Sequence, residues 1–201
     1  MPGRFNVANA LVALAVSELA GLPIEDALAG IAHVVVPGRL QRIDEGQDYL
    51  AIVDYAHKPA AVAAVIATLR SEIKGRLCVV LGAGGDRDAS KRAIMGREAA
   101  RGSDLFIVTD DNPRSEDPAV IRAAVEAGAY ELPTEERGEV RNIGDRAAAI
   151  RAAIAWAEPG DAVLVAGKGH ETGQNVNGVI HHFDDREEVR AALQERRTGS
   201  L

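Results

Sequence analysis

Leu77-Cys78-Val79-Val80-Leu81-Gly82-Ala83-Gly84-Gly85-Asp86-Arg87-Asp88 begins with an unbroken apolar run and turns abruptly into a glycine-rich polar segment. A short apolar run bounded by turn residues predicts a strand buried on both faces. Lys91–Arg101 follows with the length of a helix, and the same unit recurs along the chain. Leu105–Thr109 precedes a helix over Pro118–Gly128, Tyr49–Val53 precedes one over Ala60–Ile73, and Ala162–Ala166 follows one over Arg146–Trp156. Val140–Ile143 is a weaker strand and Asp184–Gln194 a last helix. Short apolar strands alternating with longer helices predict βαβ units and an α/β fold, with a mostly parallel sheet covered by helices on both faces. Gln41–Asp44 and Val176–Ile180 could add antiparallel edge pieces, Glu131–Gly138 is a polar loop, and Arg196–Leu201 a frayed tail.

Upstream the pattern differs. Asn6–Ala20 predicts a helix with Asn6 as N-cap and Gly21 just past its end; Pro23–His33 predicts a second. Val34-Val35-Val36-Pro37-Gly38-Arg39 breaks the period and marks a candidate domain boundary, giving residues 1–37 and 38–201. Two helices cannot bury their apolar faces alone. The chain therefore reads as starting in the middle of a larger architecture.

Apolar residues make up 47% of the 201, but aromatics only 3%, so the core should be aliphatic. A net charge of −7 argues against a general binder of nucleic acid or acidic membranes, while leaving room for a local anion site. The lone Cys78 excludes an internal disulfide and reads as a buried thiol. No apolar run approaches the roughly 20 residues that span a bilayer. Arg4, Asn6, Asn9 and Glu18 spoil the first helix as a signal peptide, and a cytoplasmic location is expected.

Polar, special-residue loops follow each of the four clear strands. In an open parallel sheet, ligands bind beyond the carboxyl ends of strands. Asp111-Asn112-Pro113-Arg114 places an acid and a base on one stiff loop, able to read a ligand with both an ammonium and a carboxylate. Its plainer reading is a helix start, with Ser115 or Asp117 as cap before Pro118. Asp54-Tyr55-Ala56-His57-Lys58-Pro59 offers Asp54 and His57 for nucleotide or phosphate contact, or is ordinary strand-to-helix punctuation. Gly82–Asp88 is neither G-x-G-x-x-G, since Arg87 holds the third glycine position, nor a P-loop, yet its glycines permit close backbone approach. Arg87, Lys91 and Arg92 form a basic cluster at a helix start, or a solvated turn. Gly167-Lys168-Gly169-His170-Glu171 is weak alone and gains weight from being the fourth such loop. His33, His181 and His182 show no metal-ligand spacing and read as structural or solvated.

Together and in order, Gly3-Arg4-Phe5-Asn6-Val7-Ala8-Asn9-Ala10, Pro37-Gly38-Arg39, Asp54–Pro59, Gly84–Asp88, Asp111–Arg114 and Gly167–Glu171 resemble the Mur ligases of peptidoglycan synthesis. The resemblance spans nearly the whole chain. It implies that residues 38–201 are the Rossmann-like C-terminal domain, and residues 1–37 the last helices of a central ATPase domain whose P-loop this chain lacks. It further implies an ATP- and Mg²⁺-dependent, amide-forming ligase that phosphorylates the D-Glu γ-carboxylate of UDP-MurNAc-L-Ala-D-Glu. An amino acid's amine then attacks the acyl phosphate.

The Asp-Asn-Pro-Arg form implies meso-diaminopimelate as that amino acid. Arg114 and Arg87 would clamp its distal carboxylate. Asp111, Glu171 and the Gly167 carbonyl would receive the ammonium, with Asn112 adding a hydrogen bond and Pro113 stiffening the loop. Asn9, Asp54 and His57 match positions near the nucleotide. No catalytic residue or metal ligand is carried over, and without the N-terminal and central domains the chain is expected to be inactive. Ala89 and Ala93 replace the Gly and Pro usual in this run; neither removes a charge. An L-lysine-adding homologue and a non-catalytic binding module of the same fold stay open as alternatives.

Overall fold

The computed structural model describes residues 4–201. They divide into two compact units, one ending at Pro37 and one running Gly38–Leu201.

The smaller unit holds α1 (Arg4–Leu19) and α2 (Ile24–His33). Helix α1 starts before Asn6, so Asn6 sits inside it rather than capping it; nothing in Arg4-Phe5 opposes helix. Gly21 ends it with φ of 77°, while Leu22 N–H reaches Ser17 O and Gly21 N–H reaches Glu18 O. That pair of bonds satisfies the last carbonyls, and the left-handed φ suits glycine. Val7, Leu11, Val12 and Val16 stay exposed along α1, and α2 has no buried residue.

The larger unit is a six-stranded sheet in the order β1-β2-β6-β3-β4-β5. Its strands are β1 (Gln41–Ile43), β2 (Leu50–Asp54), β3 (Leu77–Leu81), β4 (Leu105–Val108), β5 (Glu139–Asn142) and β6 (Ala162–Ala166). Only β1 runs antiparallel, as an edge strand against β2. The helices are α3 (Pro59–Glu72), α4 (Lys91–Gly102), α5 (Pro118–Tyr130), α6 (Arg146–Trp156) and α7 (Asp185–Thr198). From β2 to β5 the chain steps across the sheet in one direction, then returns through α6 to insert β6 between β2 and β3. Right-handed crossovers put helices on opposite faces when the direction reverses. Accordingly Val62, Leu69, Met95, Ala99, Ile121 and Val125 of α3–α5 pack with Val79, Leu81, Phe106 and Leu164. Ile150, Ile154, Val189 and Leu193 of α6 and α7 pack with Val80, Ile107, Val163 and Val165 on the other side.

Every residue of β3 and β6 is buried. Cys78 lies among them, and burial pushes its thiol up, away from the reactive range. Two expectations change. Val176–Ile180 is not an edge of the main sheet; β7 (Gly173–Val176) and β8 (Val179–His182) form a separate hairpin. The expected tail is helix as far as Thr198, capped by Gly199 at φ 75°. Arg151 holds Glu195 of that last turn, at 2.8 Å and 2.9 Å.

Candidate amino-acid-binding site

The parallel strands end level with one another. Asp54 pairs with Ala166, Ala166 with Leu81, and Leu81 with Val108. The loops that follow therefore start from one row at the carboxyl edge, as expected. A surface groove lined by Arg42, Tyr49, Lys74 and Asp161 lies at the opposite, amino edge.

The loops after β3 and β4 are stitched together. Gly85 N–H donates to Asn112 O at 2.9 Å, and Arg114 Nη1 to Gly85 O at 2.6 Å. Asp86 N–H donates to Glu116 Oε1 at 2.6 Å, while Ser115 Oγ donates to Asp86 Oδ1 at 2.7 Å. A Cβ on Gly85 would stand 1.9 Å from Pro113 O, so only glycine allows this approach. Asp117 caps α5 by accepting from Ala119 N–H, so the structural reading of that segment is correct for Asp117-Pro118.

The expected basic cluster is dispersed. Arg92 is buried, donating to Glu116 Oε1 at 2.8 Å and to Gly84 O at 3.3 Å. Lys91 Nζ donates to His57 O at 2.9 Å and ties the β2 loop to α4. Arg87 stays exposed beside Gly84, whose other neighbour is Arg114. The Arg114 guanidinium and the stem of the Arg87 side chain thus flank one glycine.

Arg114 adopts φ 53°, a left-handed conformation that costs a residue with a side chain about 1–3 kcal/mol. The hairpin over-determines it: Arg114 N–H donates to Asn175 O at 3.0 Å, and Asn177 N–H to Arg114 O at 2.7 Å. Gln174 Nε2 adds a bond to Asp111 O at 2.8 Å. The strain aims the Arg114 side chain back over Gly84 and Gly85.

Behind it lies an acidic recess. Asn112 Nδ2 donates to Asp111 Oδ1 and to Glu171 Oε2, both at 2.9 Å. Its Oδ1 accepts from Asn175 N–H at 2.9 Å and Lys168 Nζ at 3.2 Å. The Asn112 amide is therefore engaged within the protein, as a brace between two carboxylates. Among the described residues no hydrogen bond reaches Asp111 Oδ2 or Glu171 Oε1. Gly167 turns against this recess at φ 116°, where a Cβ would meet Asp111 Oδ2 at 2.8 Å.

The β2 loop borders the recess. Asp54 is buried and accepts from Leu40 N–H and Ala56 N–H, both at 2.7 Å. Burial pushes its carboxyl up, although these bonds and Arg39 pull the other way. His57 Nδ1 sits 2.8 Å from Tyr55 O; a carbonyl only accepts, so Nδ1 carries the proton and Nε2 is left for a ligand. Tyr55 has the Arg39 guanidinium 4.4 Å from its ring centroid and the tilted His170 ring beside it, with ring centroids 5.2 Å apart. A Cβ on Gly38 would lie 2.2 Å from Gly169 C, so these segments touch backbone to backbone. Asn9 belongs to the smaller unit, exposed on α1, with Nδ2 3.4 Å from Asn6 Oδ1. Among the described residues no group of three or more His, Cys, Asp or Glu is placed to hold a metal ion.

Four contributors carry no sequence mark of a site role. Lys168 lies inside the Gly167–Glu171 motif without a role of its own, and Gln174 and Asn175 belong to no motif. Arg146, fully buried in α6, donates to Asp110 O at 3.2 Å and Ala166 O at 2.9 Å. It locks the roots of the β4 and β6 loops together. Its only sequence signal is a charge at an inward position of an otherwise alanine-rich helix.

Residues 38–169 match the family described as Mur ligase, glutamate ligase domain. The chain is 62% identical over 203 residues to the UDP-N-acetylmuramoyl-L-alanyl-D-glutamate--2,6-diaminopimelate ligase of Corynebacterium glutamicum, covering 100% of this chain and 39% of that protein. It is 56% identical over 196 residues to the enzyme of the same name from Streptomyces avermitilis, covering 97% and 39%. A solved structure of a ligase with that name aligns at TM-score 0.76 and 39% identity, over 98% of this chain and 40% of that one. The chain thus spans about two-fifths of the length of these relatives.

Proposed function

Since the chain belongs to the Mur ligase family, we propose that it supplies the incoming-amino-acid site of an ATP-dependent ligase that adds meso-diaminopimelate to UDP-MurNAc-L-Ala-D-Glu. The observation that carries this is the juxtaposition, across two stitched loops, of the free Oδ2 of Asp111 with two arginines beside Gly84, Arg114 on the same loop and Arg87 on its neighbour. An amino acid centre at the far end of a substrate presents an ammonium and a carboxylate. Asp111 Oδ2, Glu171 Oε1 and the Gly167 carbonyl suit the first. The planar forks of Arg114 and Arg87 suit the second. The names of relatives at 62% and 56% identity support the same substrate.

ATP supplies the phosphoryl group that activates the acceptor carboxylate. The residues of this chain bind and orient the attacking amine, a contribution of proximity and fixed charge. Tyr55, with Arg39, His170 and His57 about it, offers an aromatic, cationic surface that fits a nucleotide, and Asp54 fixes that loop. Asn9, on the smaller unit, is proposed as a further nucleotide contact on the strength of its motif. Mg²⁺ would take most of its ligands from the preceding domain. The exposed apolar side chains of α1 and α2 support reading residues 1–37 as its final helices. Activity would then require the N-terminal and central domains, in the cytoplasm where ATP is available.

Steady-state amide formation by the full-length protein tests this. Diaminopimelate should be used with kcat/KM at least about 30-fold above lysine, the equivalent of losing one charge-assisted pair at about 2 kcal/mol. The isolated chain should release no phosphate above a buffer blank. Equal use of lysine would overturn the substrate, and turnover by the isolated chain would overturn the dependence on further domains.

A further inference from the structure

We propose that Lys168 is a positioning residue of the amino-acid pocket, one that sets the Asn112 amide and the Glu171 carboxylate in place without touching the ligand. The inference rests on the amino-acid site proposed above.

Lys168 has no exposed side-chain surface. An ammonium has three donors and no acceptor. All three have takers inside the protein: Gly173 O at 2.7 Å, Asn112 Oδ1 at 3.2 Å and Glu171 Oε2 at 3.5 Å. No N–H remains for a substrate. What the contacts do is define Asn112. Its Oδ1 faces two groups that can only donate, Lys168 Nζ and Asn175 N–H. Flipping the amide would turn its NH₂ onto both. Oδ1 is thereby held inward, and both Nδ2 hydrogens are delivered to Asp111 Oδ1 and Glu171 Oε2. Only the outer oxygens of the two carboxylates are left for a ligand.

The charges agree with that role. Lys168 Nζ lies 4.0 Å from Asp111 Oδ1 and 3.5 Å from Glu171 Oε2. Arg146 is taken up by Asp185, with both side chains fully buried. The recess then holds two carboxylates against one ammonium, a single net negative charge that matches one incoming ammonium. Without Lys168, two carboxylates face each other across Asn112. Glu171, with 35% of its side chain exposed, is free to swing outward and open the pocket.

The test is steady-state kinetics of the full-length ligase carrying Lys168→Met, which removes donors and charge, and Lys168→Gln, which keeps a donor for Asn112 Oδ1. A residue that only packs the core would lower the unfolding temperature and the active fraction, and leave KM alone. As a positioning residue, Lys168→Met should raise KM for diaminopimelate by about tenfold or more with KM for ATP unchanged. Lys168→Gln should raise it less, by at least about threefold. If the Met variant does not fold, the Gln variant decides on the same criterion. A KM unchanged in both folded variants overturns the proposal. So does a lowered KM, the result expected if Lys168 merely repelled the ligand's ammonium. Failure of the parent to use diaminopimelate would instead strike the functional reading; the variants are then scored with whichever amino acid the parent does use.

Discussion

Arg146 and Asp185 face each other wholly out of solvent, Nε to Oδ1 at 2.7 Å and Nη2 to Oδ2 at 2.8 Å. The pair joins α6 to the start of α7, and two further guanidinium hydrogens go to the Asp110 and Ala166 carbonyls. One buried side chain thereby serves both a helix contact and the loops of the site.

Breaking such a pair from one side strands a charge in the core. Arg146→Met should lower unfolding free energy by about 3–5 kcal/mol. Adding Asp185→Leu should recover part of that, because the orphaned carboxylate is gone. Urea unfolding of the parent, single and double variants measures it; a loss below about 1 kcal/mol in the single variant would show that the pair is solvated.

Arg114→Ala in the full-length protein should lower kcat/KM for diaminopimelate by roughly 30-fold or more, from about 2–5 kcal/mol for removing one partner of a charge pair. Lysine, which has no distal carboxylate, should be used no worse than by the parent. Arg114→Lys should rescue only partly, since an ammonium lacks the two-pronged fork. The φ of 53° adds a control: the Ala and Lys variants carry the same backbone strain, so thermal unfolding should differ little between them. Unchanged diaminopimelate kinetics in Arg114→Ala would make the loop a structural cap.

Gly85→Ala should separate the β3 and β4 loops, because the added methyl would sit 1.9 Å from Pro113 O. The neighbour is a backbone carbonyl that already accepts from Glu116 N–H, so it yields only with a shift of the loop. A stability loss of about 1–3 kcal/mol is expected, with a larger proportional loss of diaminopimelate turnover than of stability. Equal thermal midpoints for variant and parent would contradict the close approach.

Asp161, buried just before β6, accepts from Arg76 N–H, Nε and Nη2 and from Glu158 N–H. Burial pushes its carboxyl up, but the Arg76 and backbone bonds more than offset this and hold it below the ordinary 3.8. Its folded-state value is depressed. The stabilisation is therefore present above the unfolded value and is lost as pH falls through the folded one. Asp161→Asn should cost about 1.5–3 kcal/mol near neutral pH, and the gap to the parent should begin to narrow below about pH 4. Unfolding curves at pH 7 and pH 3 check the sign; a gap that widens in acid would refute it.

How legible each element was depended on what holds it. Strands β3 and β6 coincide with the expected Leu77–Leu81 and Ala162–Ala166, because full burial demands unbroken apolar runs. Strand β5 is Glu139-Val140-Arg141-Asn142, an edge strand with no fully buried residue, and its signal was correspondingly weak. The hairpin strand Gly173–Val176 is half-buried along its length and is held by a loop far away in sequence, so local pattern does not report it. The loops of the candidate site were legible as motifs at strand ends, since their glycines, prolines and charges stand out against the apolar runs before them. Its supports were not. Lys168 between two glycines looks like any solvated lysine, and its burial follows only from Asn112, Glu171 and the Gly173 carbonyl closing around it. Lys91 and Arg92, expected with Arg87 as a basic cluster at a helix start or as a solvated turn, fit neither, being spent on His57 O and Glu116.

From Lys168 to Asn177 the chain touches the Asp111–Arg114 loop at every few residues: Lys168 and Glu171 on Asn112, Gln174 on Asp111 O, Asn175 on Asn112 and Arg114, Asn177 on Arg114 O. The segment works as a ruler whose length is a specification. Inserting or deleting one residue between Glu171 and Gln174 would keep every contacting side chain in the protein and still put the later marks out of step with the earlier ones. Selectivity at this site is consequently open to exchange of side chains and closed to change of length. Descendants with a different amino acid preference should differ in the letters of this stretch and agree in its count.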